Sequence, residues 1–424
     1  MITPAYAPTA TERVLPRLAL DFTTGTLDPR VTVTRALNTA TRVNSSGLIE
    51  IVNANLPRFD YDPVTLAPKG LLIEETRSNI CIQSEDFGTS WTPNSVGVST
   101  NSTVSPSGLS NADTITASAG SAQHRLIGTQ GTVTSGVSIT HSFYVKSLTH
   151  NFVQIHDTGT GTYYANFDLS NGTVTAVSPA NGASISSVGN GWYRCTLTLT
   201  TATTVSGAAI AIIPNGSAAR NPTWAAAGTE SVYAWGYQIE TGAFPTSYIP
   251  TTTTSVTRNA DAVSMTGTNF SSWYNASEST IVATGSFFAL GNNTSPYRNA
   301  LVGFSDGTSA NAVQMGKSVA GFAADRPATY STNGSFGQSI AGVPITASSI
   351  VTMALGLKTN SVFFAANGVA GVEDTTSSVP PANQLGIGSF DALGPSSLLN
   401  GYVRAVRYYP LRLTNAEIQA FSKG

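Results

Sequence analysis

The sequence predicts an all-β protein: an N-terminal arm and hairpin, then two β-sandwich (jelly-roll) domains and a short C-terminal helix. Three observations support this fold class. Short runs of alternating apolar and polar residues recur along the chain, as they do in half-buried strands. Only 10% of the residues are charged, against roughly 25% in average domains, and neutral Ser, Thr, Asn and Gly replace them. At 424 residues, the chain is too long for one hydrophobic core.

We divide the chain into an arm and linker region at residues 1–79, a first sandwich at 80–258 and a second at 259–424. The first 30 residues are rich in proline and show little periodicity. This pattern predicts an extended arm with one short strand at 17–22. Residues 30–42 and 48–52 alternate around a Ser-Ser-Gly turn, so we expect them to pair as a hairpin.

The first sandwich is predicted from short strands at sandwich spacing. Asn171-Gly172 predicts a tight hairpin turn between two of them. We expect the strand at 137–145 to be half-buried, because its apolar and polar residues alternate strictly. The predicted strands lie at residues 137–145, 152–156, 163–169, 173–177, 193–199, 208–213 and 232–239.

The second sandwich shows the same spacing and ends in a helix. Apolar residues near 403–408 break the simple alternation, which predicts a bulge in the last strand. Thr414 followed by Glu417 predicts a capping box at the start of the helix. The predicted strands lie at residues 279–288, 299–304, 312–315, 350–357, 361–366 and 384–387.

A connector at residues 231–261 joins the two sandwiches. Its first half alternates as a closing strand, and Gly242, Pro245 and Pro250 then prevent regular continuation. We expect this connector to be a structural hinge and an oligomer contact. Its apolar residues should be buried between modules or subunits, namely Phe244, Tyr248 and Ile249.

Composition excludes several function classes. The formal net charge is −2 and no basic stripe exists, so nothing predicts nucleic-acid binding. Cys81 and Cys195 lie in apolar runs, which favours two buried thiols over a disulfide. No apolar run reaches the length of a membrane span. The first residues lack the features of a signal peptide, so we expect synthesis in the cytoplasm without signal-dependent export.

Seven charged residues are concentrated at 57–79 in this charge-poor chain. Paired carboxylates could serve glycoside hydrolysis, but no supporting histidine or substrate platform is near in sequence. We therefore favour ion pairing and turn capping within a compact element. The seven are Arg58, Asp60, Asp62, Lys69, Glu74, Glu75 and Arg77.

Three stretches resemble bacteriophage virion proteins such as tail fibres and head fibres. They are PRFDYDPVTLAPKGLLIEETRSN (57–79), CIQSEDF with the tryptophan that follows (81–91), and WGYQIETGAFPTSYIPTT with VTRNAD (235–261). The β module between them is similar to phage carbohydrate-binding jelly rolls. The C-terminal block at 399–422, LNGYVRAVRYYPLRLTNAEIQAFS, resembles the final strand and helix of concanavalin A-like or laminin-G-like lectin domains.

The resemblance implies a virion fibre or adhesin that binds host surface glycans for attachment. It implies a homotrimer that contacts other virion proteins through its N-terminal region and that leaves the host cytoplasm by lysis, without membrane insertion. A capsid head fibre or decoration protein is the first alternative. A polysaccharide depolymerase is the second, and the scarcity of acids disfavours it. We therefore expect no enzyme activity and no cofactor.

Sugar binding on a sandwich needs aromatic faces beside polar groups. Trp224 is the first candidate because it follows Arg220 and Asn221 in a segment without strand pattern. Solvated or packed loop residues are the alternative for every candidate. The other candidates are Tyr163, Tyr164, Tyr297, Arg298, Arg326 and Tyr330.

The sequence offers no catalytic or metal-binding motif. His141 shares an apolar face with Phe143, so we expect a core histidine, and His156-Asp157 is a weak candidate pair. A structural calcium remains an open option, since sandwiches of this kind sometimes carry one. Its candidate ligands are Asp157, Asp168 and Asp306.

Overall fold

The computed structural model describes residues 15–159, 162–178, 182–288, 299–308, 310–318, 325–331, 339–342, 344–389 and 398–424. The all-β prediction is confirmed, because antiparallel strands dominate these residues. The strands before the first sandwich are β1 (Leu18–Asp21), β2 (Thr32–Thr34), β3 (Ala40–Val43), β4 (Ile49–Val52), β5 (Phe59–Tyr61), β6 (Pro68–Ile73) and β7 (Arg77–Asn79).

The first sandwich consists of two six-stranded sheets, ordered β17-β18-β13-β21-β10-β9 and β16-β15-β14-β19-β12-β8, with β11 and β20 as a separate pair. Its strands are β8 (Thr92–Asn94), β9 (Val96–Thr103), β10 (Ala112–Ala117), β11 (Gly120–Gln123), β12 (Arg125–Thr132), β13 (Ser138–Ser147), β14 (Phe152–His156), β15 (Tyr164–Asp168), β16 (Thr173–Ser178), β17 (Gly182–Ser187), β18 (Trp192–Thr200), β19 (Val205–Ile212), β20 (Thr223–Ala226) and β21 (Ser231–Thr241).

In its described residues, the second sandwich consists of an eight-stranded and a seven-stranded sheet. Before it, β22 (Val256–Arg258) forms a separate pair with β7. The strands of the second sandwich from this part of the chain are β23 (Ala262–Thr266), β24 (Glu278–Phe287), β25 (Ala300–Ser305), β26 (Ala312–Lys317), β27 (Pro327–Ser331), β28 (Ser339–Ile340), β29 (Val351–Lys358), β30 (Phe363–Ala366), β31 (Val369–Ala370), β32 (Gln384–Ile387) and β33 (Gly401–Tyr409).

The N-terminal strands complete this second sandwich. β1 and β6 both pair with β33, and β2 pairs with β23. Leu18, Leu20 and Phe22 are buried in the same core as Tyr408. The sequence prediction placed residues 1–79 in a region of their own, whereas β1, β2, β5 and β6 belong to the sheets of the second sandwich. Pairing between the two ends of a chain leaves no local pattern in either end.

The predicted N-terminal hairpin is shorter than expected. β3 pairs with β4, but β2 leaves this hairpin and joins β23. Leu37 adopts a positive φ of 67°, which breaks the strand between β2 and β3. The hairpin turn predicted between β15 and β16 is confirmed.

The strand β13 was expected to be half-buried, and this expectation is wrong. All residues from Ile139 to Val145 are buried. The inward face joins the sandwich core through Phe143. The outward face carries Tyr144, which packs with Trp235, Tyr248 and Ile49 of β4. A second layer over the sheet therefore covers the side that alternation assigned to solvent.

The C-terminal predictions are confirmed. Thr284 pairs with Ala405 and Gly285 with Val403, which leaves Arg404 as a bulge in β33. Helix α2 (Asn415–Phe421) follows the Thr414–Glu417 capping box and buries Ile418. The other helical segments in the described part of the chain are α1 (Thr268–Ser271) and a 3-10 turn at Phe22–Thr24. Within the described residues, no helix has the length and apolar character that crossing a membrane requires.

Candidate functional site

A buried ion-pair network lies where the two sandwiches join. Arg58 contacts Asp261 and, at 2.6 Å, Glu74. Arg258 contacts Glu74 at 3.1 Å, and Arg35 contacts Asp261 at 2.8 Å. All five side chains are 2% exposed or less. Ion pairing is therefore the role of the charges at 58 and 74, as the sequence analysis favoured.

Glu74 is held ionised by its neighbours. Burial would raise the pKa of its carboxyl group, but Arg258, Arg58 and Ser247 lower that pKa to about 2. Ser247 donates its backbone N–H at 2.7 Å and its hydroxyl at 2.6 Å to the two carboxylate oxygens. A buried charge that receives such partners is stabilised in its charged form.

The three stretches that resemble phage proteins meet at this junction. Residues 57–79 supply Arg58 and Glu74, and residues 235–261 supply their partners. From the middle stretch, Ser84 Oγ lies 2.7 Å from the hydroxyl of Tyr248, which donates to Glu85 at 3.1 Å. These stretches therefore build one scaffold rather than three separate features.

A cleft of about 410 Å³ opens beside the junction, between the two sandwiches and the N-terminal hairpin. Five aromatic side chains line it, together with half-buried or exposed cations, acids and hydroxyl groups. The aromatic lining residues are Tyr144, Phe244, Tyr248, Phe288 and Tyr402. The polar lining residues include Arg42, Asp62, Lys69, Ser187 and Arg194.

The aromatic walls of the cleft are fixed by ring contacts. Phe288 and Tyr402 meet edge to face, with ring centroids 5.0 Å apart, and Tyr144 and Tyr248 do so at 6.0 Å. The guanidinium of Arg194 lies 5.4 Å from the centre of the Tyr144 ring. Cation–π contacts of this kind hold a charged group against an aromatic face. The cleft thus presents rigid rings beside oriented donors.

The acidic groups in the cleft are already engaged. Asp60 accepts hydrogen bonds from the Val43 N–H at 2.6 Å and the Tyr402 hydroxyl at 2.5 Å. Burial is the main reason why the pKa of Asp60 is raised. Asp62 accepts from two backbone N–H groups of its own turn, which confirms turn capping. Glu74 belongs to the ion-pair network, so all three carboxylates serve the fold.

Trp224 lies in a strand, and its prediction as a loop residue is wrong. It belongs to β20, which pairs with β11. The indole N–H donates to the Ile212 carbonyl at 3.2 Å, and the ring packs between His124 and His150 at centroid distances of 5.0 and 6.1 Å. A strand of four residues is too short to show alternation, so no sequence pattern indicates it.

The other predicted glycan-binding residues are spread over both sandwiches. Tyr163 packs on the first core and donates its hydroxyl to the Thr200 carbonyl at 2.9 Å, and Tyr164 begins β15. Arg326 donates to the Gly342 carbonyl at 2.8 Å in the second sandwich. Tyr330, predicted in a loop, lies within β27. Tyr297 and Arg298 lie outside the described residues.

The five described candidates do not line the cleft, and their role in glycan binding stays a prediction. Sequence reasoning missed the cleft because its walls come from distant parts of the chain. One signal was present: Asp60, Asp62 and Lys69 belong to the charged cluster that stood out in the charge-poor sequence.

His141 is a core histidine, as expected. Its ring nitrogens lie 3.1 Å from the Tyr237 hydroxyl and 3.0 Å from the Ser206 hydroxyl. Among the residues that the structure describes, no group of three or more His, Cys, Asp or Glu side chains could hold a metal ion. Two of the candidate calcium ligands, Asp168 and Asp306, accept hydrogen bonds within their own turns. Both cysteines are buried and free, as predicted.

No family of known proteins and no curated protein matches the sequence. Several solved structures are similar to parts of it. The CBM40 of the Ruminococcus gnavus IT-sialidase, bound to alpha2,3 sialyllactose, is 15% identical, covers 35% of this chain and 84% of its own, and has a TM-score of 0.27. Domain 4 of AbnA, a GH43 extracellular arabinanase from Geobacillus stearothermophilus in complex with arabinotriose, is 12% identical. It covers 38% of this chain and 73% of its own, and has a TM-score of 0.29.

The LG1-3 region of the laminin alpha2 chain is also similar, with 10% identity, 68% of this chain and 65% of that chain covered, and a TM-score of 0.25. TM-scores this low carry no argument about the ligand of this chain.

Proposed function

We propose that this chain is a glycan-binding protein and that the cleft between its sandwiches is the saccharide site. One observation carries the proposal: fixed aromatic rings stand beside cations and hydroxyl groups in a single concave space. Aromatic faces contact the C–H surface of a sugar ring, while polar side chains bind its hydroxyl groups. Clefts at domain junctions are also frequent ligand sites.

Within this proposal, the protein is a bacteriophage fibre or adhesin that attaches the virion to host surface glycans. The resemblance of residues 57–79, 81–91 and 235–261 to virion proteins supports this assignment. The homotrimer, the contact of the N-terminal region with other virion proteins and the location in the virion belong to the same proposal. A capsid head fibre or decoration protein is the alternative.

We also propose that the chain binds glycans without cleaving them. Retaining and inverting glycosidases need two carboxyl groups that face the substrate. The carboxylates of the cleft accept hydrogen bonds from the protein itself. A reducing-sugar assay on host polysaccharide checks this point, and released reducing ends would overturn it.

Binding to a glycan array and to host polysaccharide tests the cleft. Phe288→Ala removes a ring of the cleft wall, and Arg194→Gln removes a cation, so each should weaken binding about tenfold, as losses at central contact residues do. Val372→Ala is the matched control, because Val372 is 85% exposed and lies outside the cleft. Thermal unfolding of each variant shows whether it is folded.

The same assay separates the cleft from the site predicted from sequence. Full binding by Phe288→Ala and Arg194→Gln, together with lost binding by Trp224→Ala, would move the saccharide site to the first sandwich. Absence of binding by the unmodified protein to every glycan would contradict the glycan-binding function itself. Labelling the protein on particles then distinguishes a fibre at the tail from a decoration of the capsid.

A further inference from the structure

The outward face of one sheet in the first sandwich carries a second group of polar side chains. Val153 and Ile155 of β14 point into the core, so by alternation His156 lies on the opposite face. The strand register places His156 across from Tyr164 of β15. Two residues earlier on this face, Gln154 lies across from Ala211 of β19.

Two arginines join His156 on this face. Arg125 of β12 stands opposite Ala211 of β19 and alternates with the core residue Leu126. Arg220 comes from the loop before β20, and its Nη2 donates to the carbonyl of Asp157 at 2.8 Å. After burial, Arg220 and Arg125 are the main reasons why the pKa of His156 is lowered to about 3. The imidazole is therefore neutral within the influence of two cations.

Several polar atoms of this group have no partner. His156 is completely buried, yet neither of its ring nitrogens has a hydrogen-bond partner among the described residues. The Nε atoms of Arg125 and Arg220 and the Oδ1 atom of Asn221 are also buried and unpaired. A buried polar atom without a partner destabilises the folded state, and native proteins contain few of them. Their concentration here indicates a ligand.

The charge of the group points to the chemistry of that ligand. Asp157 is the carboxylate nearest in sequence, but its Oδ1 accepts from the Ser206 hydroxyl at 2.7 Å and the Gly207 N–H at 3.0 Å. It also lies 3.6 Å from His141 in the core. The charge of Asp157 also acts on Arg220 and His156, so this one carboxylate is shared between the core and a group that contains two guanidinium cations.

We propose that this face is a binding site for a small oxyanion, a carboxylate or sulfate group of the kind that acidic saccharides carry. Arg125 and Arg220 bind its oxygens through their Nε–H and Nη–H groups, and His156 donates from its imidazole ring. Guanidinium groups match planar and tetrahedral oxyanions through paired hydrogen bonds. The site is separate from the cleft, and it does not depend on the function proposed for the cleft.

Isothermal titration of the full chain tests the site with two probes, sodium glucuronate and sodium sulfate, at ionic strength held constant with chloride. We expect one anion per chain. If sulfate competes with glucuronate, the site recognises the oxyanion alone; if only glucuronate binds, the sugar ring contributes. Both results support the proposal. Methyl glucoside, which lacks the charge, should not compete.

Variants assign the binding to named residues. Arg125→Gln and Arg220→Gln should each weaken binding of the anion about tenfold, the loss expected for one charge-assisted contact. Arg220→Lys keeps the charge but loses the paired N–H donors of the guanidinium group. Its affinity for the anion should therefore lie between that of the glutamine variants and that of the unmodified chain. Arg407→Gln is the matched control, because Arg407 is a half-buried arginine on β33 of the second sandwich.

The proposal is overturned if neither anion binds, or if Arg407→Gln weakens binding as much as the two test variants do. Loss of anion binding in Phe288→Ala, with full binding by both test variants, would overturn it by moving the anion to the cleft. Thermal unfolding without ligand checks that the variants are folded. If a glutamine variant of an arginine fails this check, two other variants replace it in the test: Arg220→Lys, and His156→Gln, which removes the imidazole donor. Anion binding as strong in both as in the unmodified chain would then overturn the proposal.

Discussion

At the scale of single residues, Glu74 is the side chain on which the junction depends most. It contacts Arg58 and Arg258 and accepts two hydrogen bonds from Ser247. Glu74→Gln would leave two buried guanidinium groups short of a counter-charge. Breaking a buried ion pair by removing one partner costs about 3–5 kcal/mol, so urea denaturation followed by tryptophan fluorescence should show a loss of that size.

The pH dependence follows from the same contacts. The pKa of Glu74 is about 2 in the folded protein, below its value in the unfolded chain. The stabilisation is therefore fully present above pH ~4.5 and is lost as the pH falls toward 2. The difference between Glu74→Gln and the unmodified protein should shrink over that range. Glu50→Gln is the control, since its pair with Arg42 is partly exposed and contributes about 0–1 kcal/mol. Equal losses from both changes would contradict this account.

Single residues were also where sequence reasoning reached furthest. The concentration of charge at 57–79, against a neutral background, indicated ion pairs, and Arg58 and Glu74 form one. The partner Asp261 could not be assigned, because it lies 203 positions from Arg58. The unpaired nitrogens of His156 have no sequence signal either, since they result from the packing of three separate strands and a loop.

At the scale of elements, the bulge in β33 depends on a glycine in the neighbouring strand. Gly70 of β6 has a φ of 109°, and a Cβ atom there would lie 2.5 Å from the carbonyl oxygen of Val403 and 3.1 Å from the Cα of Arg404, the bulged residue. Both contacts are with backbone, which cannot move aside as a side chain can. The absence of a side chain at Gly70 therefore permits β6 to pair with β33.

We expect Gly70→Ala to destabilise the protein by about 1–3 kcal/mol, because it combines an unfavourable backbone conformation with a steric conflict. Gly97→Ala is the matched control: Gly97 also lies in a strand, and a Cβ atom there meets nothing within 4 Å. Denaturation midpoints of the two variants provide the measurement. A cost at Gly97 as large as that at Gly70 would show that loss of a strand glycine alone is responsible.

Local signals explain which elements could be predicted. The capping box of α2, the turn between β15 and β16 and the bulge in β33 are each encoded within a few residues. Short strands such as β20 lack enough residues to show a period. The burial of both faces of β13 was hidden because the covering layer, which includes Tyr248, is supplied by later and earlier segments.

At the scale of the whole molecule, strands from the N-terminal and C-terminal parts of the chain pair with one another. β1 and β6 flank the C-terminal strand β33, so the second sandwich is built from both ends of the chain. The first sandwich lies between them in sequence, and all strands of its two six-stranded sheets come from residues 92–241. The cleft exists because this arrangement brings the N-terminal hairpin, the connector and both sandwiches together.

This topology predicts opposite behaviour for two fragments. Residues 76–258 contain every strand of both six-stranded sheets and the β7–β22 pair, so we expect this fragment to fold alone. Residues 259–424 lack β1, β2, β5 and β6. Without these strands, the core loses Leu18, Phe22 and Leu71, and one edge of β33 is left unpaired, which promotes aggregation.

Near-ultraviolet circular dichroism and size-exclusion chromatography of the two fragments provide the measurement. The first should give a monodisperse peak with fixed aromatic signals, and the second should be unfolded or aggregated. Mixing the second fragment with residues 15–75 is the control, because it returns the missing strands and should restore soluble material. If residues 259–424 fold alone, the N-terminal strands are an addition to a complete sandwich, and the division of the chain at 79 and 258 describes independent folding units.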